Sequence, residues 1–295
     1  MKHSLVHGRL HSFRSHVLLA AVAALGLVMA ASAGTASAAG APVGNRAALR
    51  TALEHLLAGW HPANHALGGH ASLGTGLNQV ASANWSGYAD DNSAGNTYSS
   101  VSGHWTEPAV TGCKGHALSA VVFWVGLDGF SNGTVEQDGT IAYCPGGSTP
   151  PIYATWWEMY PSNNIQFVGF GVLPGDKISA SVVRTGTSYT LQVADSTTSG
   201  NNFSTTQSCS AATCQNASAE WIAEAPSTSK GEVPLANFGT WTLTNAAVAA
   251  GSTSGTIKNF PDDEITMEGP GGKVMAQPGP LNTPGNQFID IWDAS

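Results

Sequence analysis

Glu220 lies in the run Ala219-Glu220-Trp221-Ile222-Ala223-Glu224. Strand alternation puts Glu220, Ile222 and Glu224 on one face of this run and Trp221 on the other. A carboxylate beside a buried aromatic on a β scaffold is either a surface acid paired with a cation or an acid that does chemistry. Cations are scarce: from Ala81 onward there are 6 Lys and Arg against 18 Asp and Glu, a balance of −12. A second run, Thr134-Val135-Glu136-Gln137-Asp138-Gly139, turns Glu136 and Asp138 away from whatever Gln137 faces. A third, Tyr153 to Pro161, gathers Trp156, Glu158 and Tyr160 on one face. Taken alone, Gln137 is a solvated strand amide, Trp156 and Tyr160 are core, and Glu158 is a buried acid in need of a partner.

Other hydrolytic machinery is missing. There is no His-Glu-x-x-His and no pair of Asp-Thr/Ser-Gly loops. After residue 80 only His104 and His116 remain, both in turn-flanked polar contexts that suit a Ser-His-Asp triad poorly. No Gly-rich phosphate loop precedes a helix. Carboxylates, amides and aromatics are what is left for catalysis. The acidic balance argues against a nucleic-acid partner, which needs a phosphate-neutralising patch.

The elements that position these residues read as strands. The chain has 295 residues, 35 of them Gly, and only 10% charged. That composition suits an extracellular all-β protein rich in turns. Runs at Asn84 to Tyr88, Tyr98 to Trp105, Ala117 to Asp128, Ile165 to Val172, Lys177 to Arg184, Tyr189 to Ala194, Phe238 to Leu243 and Phe288 to Trp292 join the three above. Val121 to Leu127 is nearly continuous in apolar residues and reads as buried on both faces. Turn signals recur every 8–12 residues or so, the spacing of a two-sheet antiparallel sandwich.

The four cysteines allow three pairings. Cys209 and Cys214, close together in a Ser/Thr/Ala loop, most simply bridge each other, leaving Cys113 to Cys144. The short ring is worth roughly 2 kcal/mol and the longer one roughly 3.5–4 kcal/mol in chain entropy. No Cys-x-x-Cys pair or His cluster accompanies them, so neither a metal nor a cofactor is expected. Residues 1–38 read as a secretion signal: Lys2, Arg9 and Arg14 lead an apolar run from Val17 to about Met29, and Ala36-Ser37-Ala38 offers a cleavage site. The run is too short for a membrane span, which makes the expected product a secreted, extracellular protein with paired cysteines.

Residues 39–80 differ in character from the rest of the chain. Asn45 caps a helix expected to reach about Gly59, with Leu49, Leu53, Leu56 and Leu57 on one face. His55, His61, His65 and His70 lie in or near a Gly/Ala-rich tract. One reading is a plain linker. The other is a pro-segment that masks an acidic cleft and lets go when its histidines charge. Residues 81–295 form the body.

Five stretches, Asn84-Trp85-Ser86-Gly87, Trp124 to Gly129, Gln137-Asp138-Gly139, Trp156 to Pro161 and Ala219 to Glu224, stand in the order found in the glutamic peptidases, the eqolisins, which this chain resembles over about residues 84–248. The resemblance implies a lectin-like (concanavalin-like) jelly-roll β-sandwich of two antiparallel sheets. It also implies acid endopeptidase activity by a Gln/Glu dyad, which falls on Gln137 and Glu220. Trp85, Trp124, Asp128, Gly129, Trp156, Glu158, Tyr160 and Ile222 then line the cleft and hold protein or peptide substrates. There are two departures: Asp138 stands where the family commonly has Thr, and Leu127 where Ile is usual. The tail after about Gly251 is not placed by the resemblance. A monomer without a membrane partner is expected. Two rivals use the same scaffold: a glycoside hydrolase pairing Glu158 with Glu220, and a carbohydrate-binding module whose acids hold calcium.

Overall fold

β-branched and aromatic residues alternating with small and polar ones give strands almost throughout. The computed structural model describes residues 67–72, 78–113, 117–210, 213–228 and 231–293. The expected signal segment, the helix over 45–59, and His55, His61 and His65 lie outside them. The strands are β1 (Leu67–Ser72), β2 (Asn78–Ser82), β3 (Trp85–Asp90), β4 (Tyr98–Thr106), β5 (Ser119–Leu127), β6 (Val135–Cys144), β7 (Ile152–Tyr160), β8 (Gln166–Phe167), β9 (Lys177–Thr185) and β10 (Ser188–Asp195). The chain continues through β11 (Asn202–Ser208), β12 (Ala219–Glu224), β13 (Ser227–Thr228), β14 (Gly231–Glu232), β15 (Thr240–Ala250), β16 (Thr253–Gly255), β17 (Asp262–Gly269), β18 (Lys273–Pro278) and β19 (Phe288–Trp292). Among the described residues the one helical turn is the 3₁₀ turn Ile257–Asn259.

The first sheet runs β1-β2-β17-β3-β12-β5-β6-β7-β8. The second runs β11-β10-β9-β4-β15-β19-β18. Pairing of β17, inside the first sheet, with β18, at the edge of the second, joins the two. Every one of these pairings is antiparallel except β2 with β17. The result is the antiparallel β-sandwich expected from the strand spacing. The tail after Gly251, which the sequence pattern left unplaced, supplies β16 to β19 and with them the joint between the sheets. The expected strand over 165–172 shrinks to β8, although Val168 and Val172 still pack into the core.

The first sheet also begins earlier than Ala81. β2 pairs with β17 from Asn78 to Ser82. The chain then passes the end of β17 and returns on its other side as β3. Ser82 fixes this crossing, its Oγ accepting from the backbone N–H of Asn84 and of Trp85 at 3.4 and 3.1 Å.

Between the sheets lies the main core, built on Val121, Phe123, Val125, Trp221, Val182, Leu191 and Phe288. Phe123 stacks on Trp241 at 5.1 Å, and Trp241 meets Phe288 edge-on at 5.7 Å. A second apolar cluster, with Trp85, Trp124, Trp156, Val122, Ile222 and Ile265, covers the opposite face of the first sheet. β5, β6 and β12 are therefore closed to solvent on both faces. Cys113 bonds to Cys144 and Cys209 to Cys214, as the sequence spacing suggests.

Carboxyls are buried in number, without cations beside them among the described residues. Asp90, Glu107, Glu136, Asp138 and Asp290 are all at most 1% exposed. Burial pushes Glu107 and Asp290 up to about 7, and hydrogen bonds from Trp105 and Ser86 only partly offset it. Burial lifts Asp90, Glu136 and Asp138 well above the carboxylate range too. A carboxyl whose folded value is raised adds no penalty below its unfolded value near 4, where both states hold the proton. It destabilises the fold progressively as pH rises towards the folded value. Together these groups withhold on the order of several kcal/mol at pH 8, a large share of a typical stability of roughly 5–15 kcal/mol. Thermal unfolding followed by circular dichroism should therefore show Tm falling by about 10 °C or more between pH 4 and pH 8. A flat or rising Tm over that window would contradict this picture.

Candidate active site

Strand register assembles the site. Gly126 on β5 pairs with Gln137 on β6 and, across its other edge, with Glu220 on β12. Directly opposed residues point to the same face, so Gln137 and Glu220 flank Gly126 in one row, their Cα atoms about 10 Å apart. The row continues to Glu158 on β7, and to Ala89 on β3 and Asp263 on β17. The next row on this face is Trp156, Gly139, Trp124, Ile222, Gly87, Ile265 and Val80. Glu136 and Asp138 face the other way, into the core between the sheets. The alternation of β6 requires this, and the Asp138 carboxyl does not sit beside Gln137.

Gln137 is 1% exposed and its Nε2 donates to Glu158 Oε2 at 2.9 Å. Glu158 is thereby the acid that fixes the amide. Burial raises Glu158 well above the carboxylate range, with Glu224 adding repulsion and Gln137 tempering it. Glu220 is fully buried. Burial raises it well above its ordinary value. The Ser218 hydroxyl tempers the rise, and the charges of Asp128, Glu136 and Asp90 add to it. In this closed face Glu220 is a carboxylic acid at acidic pH.

The aromatic residues gather beside the row. Trp85 and Trp124 meet edge to face at 4.9 Å. Trp156 and Ile222 lie in the row of Trp124, and Tyr160, half-buried, pairs with Val135 at the far end of β7. Trp124 Nε1 donates to Glu224 Oε2 at 2.9 Å and Asn84 Nδ2 to Glu224 Oε1 at 3.3 Å. Burial pushes Glu224 up to about 8 despite these donors.

Asp128 and Gly129, expected to line the cleft, stand at the turn that ends β5. Asp128 holds a left-handed backbone (φ 66°) at the end of β5. Its Oδ2 accepts from Asn216 N–H, and its Oδ1 from Ala217 N–H and Asn132 Nδ2, each at 2.7 Å. Both oxygens are used in tying the end of β5 to the entry of β12, so the carboxylate positions these two strands. Gly129 (φ 106°) lets the chain turn where a Cβ would come within 2.5 Å of Val135 and 3.1 Å of Trp85.

Sequence reasoning missed Gly126, Glu224 as an indole anchor, and the Asn132 and Asn84 amides. Gly126 had a signal: a glycine inside an otherwise unbroken apolar strand marks a close approach. A Cβ there would sit 2.8 Å from the Trp124 ring, between the amide and the carboxyl. The group of Glu136, Cys209 and Cys214 is compact enough for a metal, but both sulfurs are spent in the disulfide.

The sequence profile of the Peptidase A4 family matches residues 83–277. The chain is 29% identical over 211 residues to aspergillopepsin-2 of Aspergillus niger, spanning 65% of this chain and 71% of that one. Scytalido-glutamic peptidase, solved with a transition state analog inhibitor, has a similar fold with TM-score 0.59 at 22% identity, over 72% of this chain and 98% of its own. SCP-B, described as a member of the eqolisin family of peptidases and solved with the tripeptide Ala-Ile-His, gives 0.56 at 21% identity with the same coverages.

Replacing Gly126 tests the row. Gly126→Ala pushes the Trp124 ring and fills the space between Gln137 and Glu220. It should cost roughly 1–3 kcal/mol of stability by overpacking and about 100-fold or more in kcat/KM through misplacement. Calorimetry and peptide hydrolysis on the same sample measure both, and full activity in a folded Gly126→Ala protein would show that the slot is not used.

Proposed function

The chain belongs to the Peptidase A4 family, the glutamic peptidases, and on that footing we propose that this endopeptidase cleaves peptide bonds in acid with Gln137 and Glu220 as its dyad. One observation carries the assignment: the amide and the carboxyl flank a glycine in a single cross-strand row. A scissile carbonyl and a water fit over Gly126, within reach of both. Glu220, ionised, takes a proton from that water as it attacks the carbonyl carbon, and no acyl-enzyme forms. Gln137 Nε2 carries two hydrogens. Glu158 takes one, and the other donates to the developing oxyanion. The protonated Glu220 then gives its proton to the leaving amine.

Burial sets a condition on this scheme. In the closed face Glu220 keeps its proton, so the base step requires the face to admit water and substrate, which removes most of the desolvation. Asp128 anchors the two strands that carry the dyad, while Trp85, Trp124, Trp156, Tyr160 and Ile222 form the walls that grip substrate side chains. The glycosidase alternative is disfavoured because Glu158 and Glu220 stand three strand spacings apart, about 14 Å between Cα atoms. Glu158 is also already engaged by an amide.

The same reading makes the chain a secreted precursor. Residues 1–38 direct export, the two disulfides suit an oxidising compartment, and the segment after the signal masks the cleft. Charge complementarity supports the masking: residues 39–66 carry Arg46, Arg50, His55, His61 and His65 with one acid, Glu54. The segment enters the sheet at β1, next to β2, whose Val80 belongs to the Trp124 row. The body is residues 81–295, and the sheet it belongs to takes in β2 from Asn78. It acts as a monomer on protein or peptide substrates.

Cleavage of a denatured protein at about pH 3–4 tests the dyad. Gln137→Ala should lower kcat by about 10²–10³, the cost of one oxyanion donor, and Glu220→Gln should abolish turnover, both with wild-type Tm. A folded Gln137→Ala that cleaves normally would remove the oxyanion role. The masking reading has its own test. With His55, His61, His65 and His70 all changed to Gln, self-activation of the precursor should need a lower pH than wild type, because no imidazolium forms near pH 6.5. An unchanged activation pH would end the histidine idea.

A further inference from the structure

We propose that Glu224 is a positioning residue that sets the width of the substrate pocket beside the dyad, by holding the Trp124 indole in place over Gly126. The inference rests on the reading of this face as the peptide cleft.

The Trp124 ring is located at both of its ends. At one end Nε1 donates to Glu224 Oε2 at 2.9 Å. At the other, the Cζ3 and Cε3 edge reaches Gly126, where a Cβ would stand 2.8 and 3.2 Å from those atoms. Gly126 is the residue between Gln137 and Glu220, so the far edge of the indole borders the space between them. The tether crosses the sheet on a diagonal. Trp124 pairs with Ile222 and Glu224 with Val122, which leaves the two side chains on one face and two residues out of register. Trp85 packs on the same indole edge to face at 4.9 Å.

Glu224 is itself held. It is buried, and its other oxygen, Oε1, accepts from Asn84 Nδ2 at 3.3 Å. The Asn84 carbonyl accepts from the Ala225 N–H at 2.9 Å, and Ser82 Oγ donates to Asn84 Oδ1 at 3.4 Å. A chain of polar contacts thus runs from the crossing between β2 and β3 through Asn84 and Glu224 to the indole. Both Glu224 oxygens are engaged on the wall of the cleft. The Glu220 oxygens, on the same strand and face, have no hydrogen-bond partner among the described residues. The charges that act on Glu224 come from Glu232 and Glu158, both acids. With burial they keep Glu224 a neutral carboxyl throughout the acid range, so its hold on the indole is constant there.

A buried indole N–H that loses its acceptor must turn towards another partner. The edge over Gly126 moves with it, and the pocket loses its sense of size. The measurement is kcat/KM in acid for fluorogenic peptides carrying Ala, Leu, Phe or Trp first on one side of the scissile bond and then on the other, with Tm recorded for each variant. Glu224→Leu should change the ratio between small and bulky side chains by about 10-fold on one side, through KM more than kcat. Glu224→Gln, which keeps an acceptor for the indole and needs no charge, should restore the wild-type ratio. The effect should also run through Trp124. Adding Glu224→Leu to Trp124→Phe, which has no N–H to hold, should leave the Trp124→Phe ratio where it is, and a further shift would mean a general packing role and overturn the proposal. An unchanged ratio in folded Glu224→Leu overturns it too, as does a folded Glu224→Gln protein without turnover, since the carboxyl would then be carrying a proton. Should Glu224→Leu not fold, Glu224→Met, similar in reach but with only a weak acceptor, is read in the same way. Glu220→Gln, run alongside, separates the two failures: its retention of activity would sink the cleft reading and this inference with it, whereas its inactivity leaves Glu224 to be judged on the ratios alone.

Discussion

The register of β5 against its two neighbours is the constraint on which the site depends. Gly126 must meet Gln137 on one edge and Glu220 on the other. A slip of one residue in either pairing would send the amide or the carboxyl into the core between the sheets. The protein pins the β5–β12 pair at both ends. Asp128 closes one end through two backbone N–H groups that precede β12. Trp124 closes the other through its bond to Glu224. Gly126 then leaves the middle of the row without a side chain. The anchors are polar and local, and so they resist slippage in a sheet whose apolar residues alone would tolerate several registers.

Much of this was legible from period two. The alternation in 134–139, 153–161 and 219–224 assigns Gln137, Glu158 and Glu220 to like faces, and turns Glu136, Asp138 and Trp221 to the other. It says nothing about which strands are neighbours. That β17, some 170 residues downstream in sequence, slots between β2 and β3 depends on long-range pairing that no local pattern encodes. The tail after Gly251 is opaque for the same reason. Its strands are short and Gly/Pro-bounded, and they make sense only as the joint between two sheets. The role of Asp128 is hidden because a conformation with φ 66° and three donors cannot be inferred from an Asp-Gly pair, which equally well marks an ordinary turn.

Acids in this molecule divide by what surrounds them. Asp128 accepts from three N–H donors. Glu136, next to it, has none of these and is forced by burial to keep its proton. With only 6 basic residues in the body, neutralisation by ion pairs is unavailable to most carboxyls, and protonation is the remaining route. A fold built this way is at ease where carboxyls are neutral. Its preference for acid comes from the same scarcity of cations.

On the proposed mechanism, the burial of Glu220 also governs how substrate and cover compete for the cleft. Any chain that closes over the first sheet desolvates Glu220 and so binds best when Glu220 holds its proton. By reciprocity, ionisation of Glu220 weakens whatever covers it by the same free energy. A masking segment and a substrate both bear this cost, but only the substrate brings a carbonyl and admits a water that accepts the charge's hydrogen bonds. The chemistry therefore selects for the occupant that leaves a polar gap over Gly126. An apolar cover that seals the gap keeps the acid inert, and the difference between inhibitor and substrate reduces to whether the space between Gln137 and Glu220 stays wet.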